Sequence, residues 1–395
     1  LKIRGKEELY GLKHLKLRAD NSEPTYLRTK LICDIHNYLG LRSISANYVQ
    51  LYINDTFMGL YIITDSYKDS WIEKVYGEKN TTNLYKCVSL DDFTTAYASG
   101  CINKNEEVTD ETEWIDFLKA VENAESASDL ENIFEIDHFL YEMALEYLTN
   151  SFDRIQSSQN FYLYKQPNGK WIYLANDFDL DFGKFNYKKF HQSFESFTKD
   201  INIIDILILR DPTRFNQILR DVVNRVFNPS TIYSHIDELK TFIKPYVELD
   251  KVPDSKGNYP GMMKNEVCYY YTLREWEAFT EFTTGREFNG LKYWVLEMYR
   301  IVCSNYNLEC DPLYINKNYK YPVDRELENQ FYDSIDFKYE LPIDETDNST
   351  SVVTTDIHSF TEIPTENSSD SDDSEYEVNV PTITVDKENS SEEDI

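Results

Sequence analysis

The chain has 395 residues, 41% of them apolar, and a formal net charge of −30, enough apolar content to bury the core of one large domain or two moderate ones. The charge is uneven: residues 343–395 carry 16 Asp and Glu against the single Lys387. With no basic stripe to set against it, this balance repels phosphate backbones and anionic membranes and argues against nucleic acid as a partner.

In chain order, the first 90 residues alternate strand and helix signals. Leu1–Arg4 and His14–Arg18 alternate with period two, Pro24–Leu39 places Leu27, Leu31, Ile32, Ile35 and Leu39 at helical spacing before Gly40, and two strands follow at Tyr48–Ile53 and Leu60–Thr64. From Glu111 the pattern turns helical, with helices expected at Thr112–Val121, Ser128–Phe134 and Asp137–Leu148. A hairpin is expected at Asn160–Lys165 and Lys170–Leu174, because the intervening Pro167-Asn-Gly169 supplies the positive φ values of a tight turn. Beyond Ile201, helices are expected at Asn202–Leu209, Thr213–Val226, Pro229–Leu249, Met262–Phe282 and Gly290–Ser304, with a turn-rich break at Val252–Gly261. Residues 343–395, rich in Ser, Thr, Asp and Glu, read as a disordered acidic tail: a solubilising linker, a glycosylated stalk or an acidic lure.

No segment is long and apolar enough for a membrane span, and a chain that begins at Leu1 inside a strand-like segment reads as a trimmed fragment. The six cysteines form no Cys-x-x-Cys pair, which argues against zinc; they fit either three disulfides or buried thiols, with Cys87/Cys101 and Cys303/Cys310 nearest in sequence. Sequons at Asn54, Asn80, Asn348, Asn367 and Asn389 permit secretion without establishing it.

The chemistry concentrates around the hairpin. Asp153 and Asn160 precede its first strand, and Asp177, Asp179 and Asp181 follow its second. Residues two apart in an extended segment share a face, so the three carboxylates are expected to converge where Asp153 and Asn160 arrive. Hard oxygen donors of this kind suit Mg²⁺, Mn²⁺ or Ca²⁺. A calcium loop of the EF-hand type fails on spacing: counting from Asp177, Gly183 falls at the seventh position and Lys188 where a bidentate Glu is required. The competing reading, a solvated acidic turn, sits poorly with the alternate Phe178, Leu180 and Phe182, which make the other face apolar. Asp, then Asn, a hairpin, and a metal-binding Asp is also the order in which a protein kinase presents its chemistry. No Gly-x-Gly-x-x-Gly exists, and Asp153 to Asn160 is longer than the usual Asp-x-x-x-x-Asn, so an ordinary protein kinase is excluded.

The pieces Ile3-Arg-Gly5, Lys16-Leu-Arg18, Pro24-Thr-Tyr-Leu-Arg28, Leu51-Tyr-Ile-Asn54, Met58-Gly-Leu-Tyr61, Asn160-Phe-Tyr-Leu-Tyr-Lys165 and Asp177-Phe-Asp-Leu-Asp-Phe-Gly183 resemble, in order, the CotH family. Arg28-Thr-Lys-Leu-Ile-Cys-Asp34 and Ser45-Ala-Asn-Tyr-Val49 are similar to its fungal branch. The resemblance implies an α+β, atypical protein-kinase-like two-lobe fold: a β-rich N-lobe over residues 1–90, a mainly helical C-lobe over 91–340, and the acidic tail. It implies ATP, Mg²⁺ or Mn²⁺, and phosphorylation of Ser or Thr in extracellular or cell-surface coat proteins. Some fungal members are instead taken as non-catalytic adhesins or invasins. Carried over, Asp153 is the catalytic Asp and Asp177 the metal-binding Asp, assisted by Asn160 and Asp179. Asn176 departs from the family's Trp, and Asp65 stands where a Glu often closes the second strand pair. Lys16, which alternates with Leu15 and Leu17, and Arg28 are the candidates for holding ATP phosphates.

Overall fold

The computed structural model describes residues 1–3, 8–9, 11–19, 23–184, 190–260, 271–285, 289–333 and 380–385. The N-terminal part of the chain, expected as the N-lobe, contains β1 (Leu15–Arg18), α1 (Arg28–Leu39), β2 (Ala46–Ile53), β3 (Thr56–Asp65) and α2 (Asp69–Tyr76). Asn54 and Asp55, both with positive φ, turn β2 back into β3, and Gly40 ends α1 with φ 76°. Of the strand expected at Leu1–Arg4, the described residues 1–3 form only an isolated bridge, Lys2 to His14. The expected helix from Pro24 starts later, at Arg28, because Tyr26 takes φ 61° and turns the chain first.

The second sheet has the order β5-β4-β6-β7, formed by β4 (Leu84–Cys87), β5 (Cys101–Asn103), β6 (Phe161–Lys165) and β7 (Trp171–Ala175). β6 and β7 are the expected hairpin, with Phe161 opposite Ala175 and Gly169 at φ 87° in the turn. β4 pairs antiparallel with β6, Cys87 opposite Phe161. Between the strands run α3 (Thr112–Glu122), α4 (Ala127–Leu130) and α5 (Ile136–Thr149). After them come α6 (Phe194–Phe197), α7 (Asn202–Ile204), which continues as a π-helical turn to Leu209, α8 (Thr213–Arg225) and α9 (Pro229–Asp250). The last helices are α10 (Leu273–Thr280), α11 (Leu291–Asn305), α12 (Pro312–Ile315) and α13 (Arg325–Asp333). Part of the helix expected at Met262–Phe282 lies outside the described residues; α10 is its remainder. No described helix is long and apolar enough to cross a membrane.

The acidic tail is not uniformly disordered as expected. Within it, β8 (Thr382–Val385) pairs parallel to β2 at the edge of the N-lobe sheet, which has the order β1-β3-β2-β8. Val380 and Ile383 bury into the main core, an outcome that their β-branched side chains and the open strand edge favour.

Both cysteine pairs near in sequence are joined, Cys87–Cys101 across the β4/β5 pair and Cys303–Cys310 after α11. Cys33 is a buried free thiol, and Cys268 lies outside the described residues. Asn54 and Asn80 are exposed and carry sequons; the other three sequons lie outside the described residues.

Candidate active site

The two halves of the site arrive on rigid supports. α5 stops at Asn150, which takes φ 52°, and the chain passes through Asp153 and a 3₁₀ turn at Ile155–Ser157 before Ser158 and Asn160, both with positive φ, aim it into β6. That turn accounts for the longer Asp153-to-Asn160 spacing. On the far side, the Asn176 N–H donates to the Asn160 carbonyl at 3.0 Å and closes the hairpin, so Asp177, with φ 64°, leaves β7 opposite Asn160. Several positive-φ residues other than Gly on so short a path mark a backbone held against its preferences, as functional sites often are.

Asp153 is locked. Its Oδ1 accepts from Gln159 Nε2 at 2.8 Å and its Oδ2 from Asn160 Nδ2 at 2.9 Å, while the same amide nitrogen reaches the Asp153 carbonyl at 3.1 Å. Burial pushes the Asp153 carboxyl above its ordinary value, the charge of Asp177 adds to the effect, and the two amide donors oppose it.

Asp177 and Asp179 form the facing pair. Arg18 Nη1 donates to Asp177 Oδ1 and, at 3.0 Å, to Asp179 Oδ1, and Lys16 Nζ lies 3.6 Å from Asp177 Oδ2. Burial works to raise the Asp177 carboxyl, but Arg18 and Lys16 outweigh it and hold the carboxyl below its ordinary value. Asp179 goes the other way, raised by burial and by the neighbouring Asp177 charge despite Arg18. Two adjacent carboxylates with opposed shifts behave as one titrating pair.

The expectation that all three aspartates share a face fails at Asp181. After Phe178 the backbone turns instead of extending, with φ 57° at Phe182 and 70° at Gly183. The turn sends Asp181, fully buried, into the core, where its Oδ1 accepts from Arg154 Nη1 at 2.9 Å. Arg154 in turn donates from Nε to Glu146 Oε1 at 3.2 Å, and its guanidinium stacks over Phe178 at 5.1 Å. The residue next to the catalytic candidate therefore ties α5 to the carboxylate loop. Phe178 and Phe182 are fully buried while Leu180 between them is only half-buried, so the apolar face expected from strict alternation does not form.

Arg28 does not reach the site. It is fully buried at the start of α1, paired with Glu23, and it donates from Nε to the Asp181 carbonyl at 3.0 Å and from Nη2 to the Asn289 carbonyl at 3.2 Å. With its donors turned inward it shapes the loop and offers nothing to a ligand. Lys16 does face the site, and its side chain is 44% exposed.

Among the described residues no group of three His, Cys, Asp or Glu side chains is arranged to hold a metal ion. The site offers the two adjacent carboxylates of Asp177 and Asp179, which Arg18 bridges. That set fits a small hard cation such as Mg²⁺, which keeps several waters and shares the rest of its shell with phosphate oxygens.

Comparison with known families decides which of these resemblances holds. A family model described as "CotH kinase protein" matches residues 2–278. The chain belongs to the CotH family. Among curated relatives from Rhizopus delemar, it is 25% identical to Invasin CotH2 over 63% of its own length and 47% of that protein. It is 26% identical to Invasin CotH3 over 70% of the chain and 51% of the relative, and 26% identical to Spore coat protein homolog 1 over 60% and 42%. The chain thus spans about half the length of the curated relatives it matches.

Sequence reasoning missed Arg18 and Arg154 in this CotH chain. The signal for Arg18 was present: it lies two residues after Lys16 on the same strand, hence on the same face. Which of the two meets Asp177 most closely depends on how β1 sits against the loop, which no local pattern carries. Arg154 gave no comparable signal, since an Arg in a loop reads as solvated.

Proposed function

We propose that this chain is an atypical kinase that transfers the γ-phosphoryl group of ATP to Ser or Thr hydroxyls of extracellular or cell-surface proteins. One juxtaposition supports the reading above others: Asp153, its two oxygens fixed by Gln159 and Asn160, stands in the field of the Asp177–Asp179 pair, which two N-lobe cations face from β1. Asp153, raised in pKa and held by amides, is suited to orient an acceptor hydroxyl and take its proton. Lys16 and Arg18 supply positive charge for phosphate oxygens, and Asp177, Asp179 and Asn160 would hold a Mg²⁺ or Mn²⁺ ion. Such an ion supplies neutralisation of the charge on the transferred group. A surface or coat location is supported by the printed names of the relatives, and two disulfides suit an oxidising compartment.

The test is phosphoryl transfer to protein by the purified chain with ATP and Mn²⁺ or Mg²⁺, alongside thermal melting. Asp153→Ala is expected to lower transfer by roughly 10²-fold or more while leaving the melting shift given by ATP with metal. Asp177→Ala is expected to lose that shift. Absence of transfer, together with no stabilisation by either ligand, overturns the kinase reading. The names Invasin CotH2 and Invasin CotH3 favour a second reading, a non-catalytic surface adhesin or invasin, in which cell-surface binding is indifferent to Asp153→Ala.

A further inference from the structure

We propose that the outer edge of β2, together with the end of α9, is a peptide-docking groove that works by strand addition, and that the chain's own Val380–Val385 segment is its exchangeable ligand.

The groove has a backbone rail and an aromatic wall. The rail is β2 from Gln50 to Ile53, paired in parallel register with Thr382 to Val385, and the Gln50 N–H donates to the Pro381 carbonyl at 2.8 Å. The wall runs from Tyr48 of β2 to Phe242 and Tyr246 of α9, with successive ring centroids 6.3 and 6.5 Å apart. At its end the Tyr246 hydroxyl accepts from the Val380 N–H at 2.9 Å. Recognition therefore has two parts. Main-chain bonds hold any extended segment, and two buried side chains, Val380 and Ile383, specify which one. Thr382, between them, is exposed.

The ligand has the form of a short linear motif. Val378, Val380, Thr382, Ile383, Thr384 and Val385 are β-branched, Pro381 needs no donor partner at an edge, and acidic residues flank the run at Glu375, Glu377, Asp386 and Glu388. In sequence it lies well beyond α13, with residues 334–379 between them. Among the side chains whose burial is described, Val380 and Ile383 are the buried ones, and β8 lies at the edge of its sheet, paired with β2 alone. What keeps it in place is attachment to the same chain, which gives it an effective concentration far above that of a free peptide. The groove accordingly fits an extended segment with Val and Ile three positions apart, in acidic surroundings. The reading is independent of whether the chain transfers phosphate.

The experiment uses the full chain carrying Ile383→Asp, which places a charge in the buried position, and a fluorescein-labelled synthetic peptide of residues 376–390. The peptide is expected to bind this variant at least tenfold more tightly than it binds the wild-type chain, whose groove is filled. The same peptide with Ile383→Asp is expected to lose at least tenfold. Equal binding to the two chains, or binding insensitive to the peptide substitution, overturns the proposal. If the variant does not fold, a protease site inserted between residues 340 and 370 of the wild-type chain and cut after folding replaces it. The cut C-terminal fragment is then expected to dissociate on dilution and rebind, and a fragment that cannot be separated without unfolding overturns the proposal. A concentration-dependent dimer of the wild-type chain, abolished by Ile383→Asp, would refute occupancy within one chain in favour of exchange between copies.

Discussion

Replacing Arg154 by Met tests whether the charge network beneath the site is what holds the carboxylate loop. Arg154, Glu146 and Asp181 are each at most 1% exposed in their side chains, and the guanidinium reaches Glu146 Oε1 at 3.2 Å and Asp181 Oδ1 at 2.9 Å. Removing it strands two carboxylates in the core; breaking a buried pair in this way costs about 3–5 kcal/mol. Adding Asp181→Asn removes one of the stranded charges, so the double variant is expected to be more stable than the sum of the single effects by on the order of 1–3 kcal/mol. The pH dependence has a fixed sign. Without Arg154 the folded-state pKa values of Glu146 and Asp181 rise further above their unfolded values. Their protonation favours the fold at low pH and is lost as pH rises, so the deficit of Arg154→Met is larger at pH 8 than at pH 5. Urea unfolding of the four chains at both pH values measures this. Additive losses, or a deficit that does not change with pH, would refute the argument.

Three further outcomes follow from the same interior. In the wild-type chain, burial lifts Glu146 to about 7, whereas Glu142 is held at about 2 by His36 and His138 against the opposing effect of burial. Glu146 therefore contributes stability that is lost as pH rises through about 7, worth roughly 3 kcal/mol, and Glu142 contributes stability that is lost as pH falls towards 2. Glu146→Gln should flatten the fall in stability between about pH 4.5 and 7, and an unchanged slope there would exclude the assignment. Gly183→Ala adds a Cβ against the Trp294 ring at φ 70°, where L side chains are strained, so thermal melts should show a loss of about 2–5 kcal/mol. Cys87→Ser with Cys101→Ser opens a loop of sequence separation 14 and should cost about 3 kcal/mol by chemical denaturation; an unchanged denaturation midpoint would refute it.

The parts legible in the sequence were those set by local rules. The β6/β7 hairpin followed from Pro167-Asn-Gly169, β2 and β3 from alternation around Asn54 and Asp55, and the two disulfides coincide with the pairs nearest in sequence. Asp153, Asn160, Asp177 and Asp179 come together because the hairpin's ends must meet. What was not legible depended on tertiary choices. Asp181 was expected beside Asp177 because an extended segment alternates, but burying both Phe178 and Phe182 turns the chain and Arg154 takes the third carboxylate. Arg28 read as a candidate for holding ATP phosphates, since only the fold reveals Glu23 buried beside it. Strand β8 lay hidden in an acidic composition, because a bare edge can recruit a short β-branched run that no local pattern would promote to a strand.

The ties between the N-lobe and the rest of the molecule differ in kind, and the difference bears on how the site can open. At the rear, Asp250 at the end of α9 is 5% exposed; it accepts from the Leu60 N–H of β3 at 3.0 Å and from the Tyr26 hydroxyl at 2.8 Å. Gly59 makes room for it, since a Cβ there would meet the Asp250 carboxylate. At the front, the ties from β1 are Lys16 and Arg18, with side chains 44% and 31% exposed, on Asp177 and Asp179. Solvent and salt weaken exposed ion pairs and leave a buried hydrogen-bonded carboxylate nearly untouched. Raising ionic strength is thus expected to weaken the β1 pairs while the Asp250 tie holds. A cation held by Asp177 and Asp179 would compete with Arg18 for the same carboxylate oxygens, so metal and salt would weaken the β1 pairs alike.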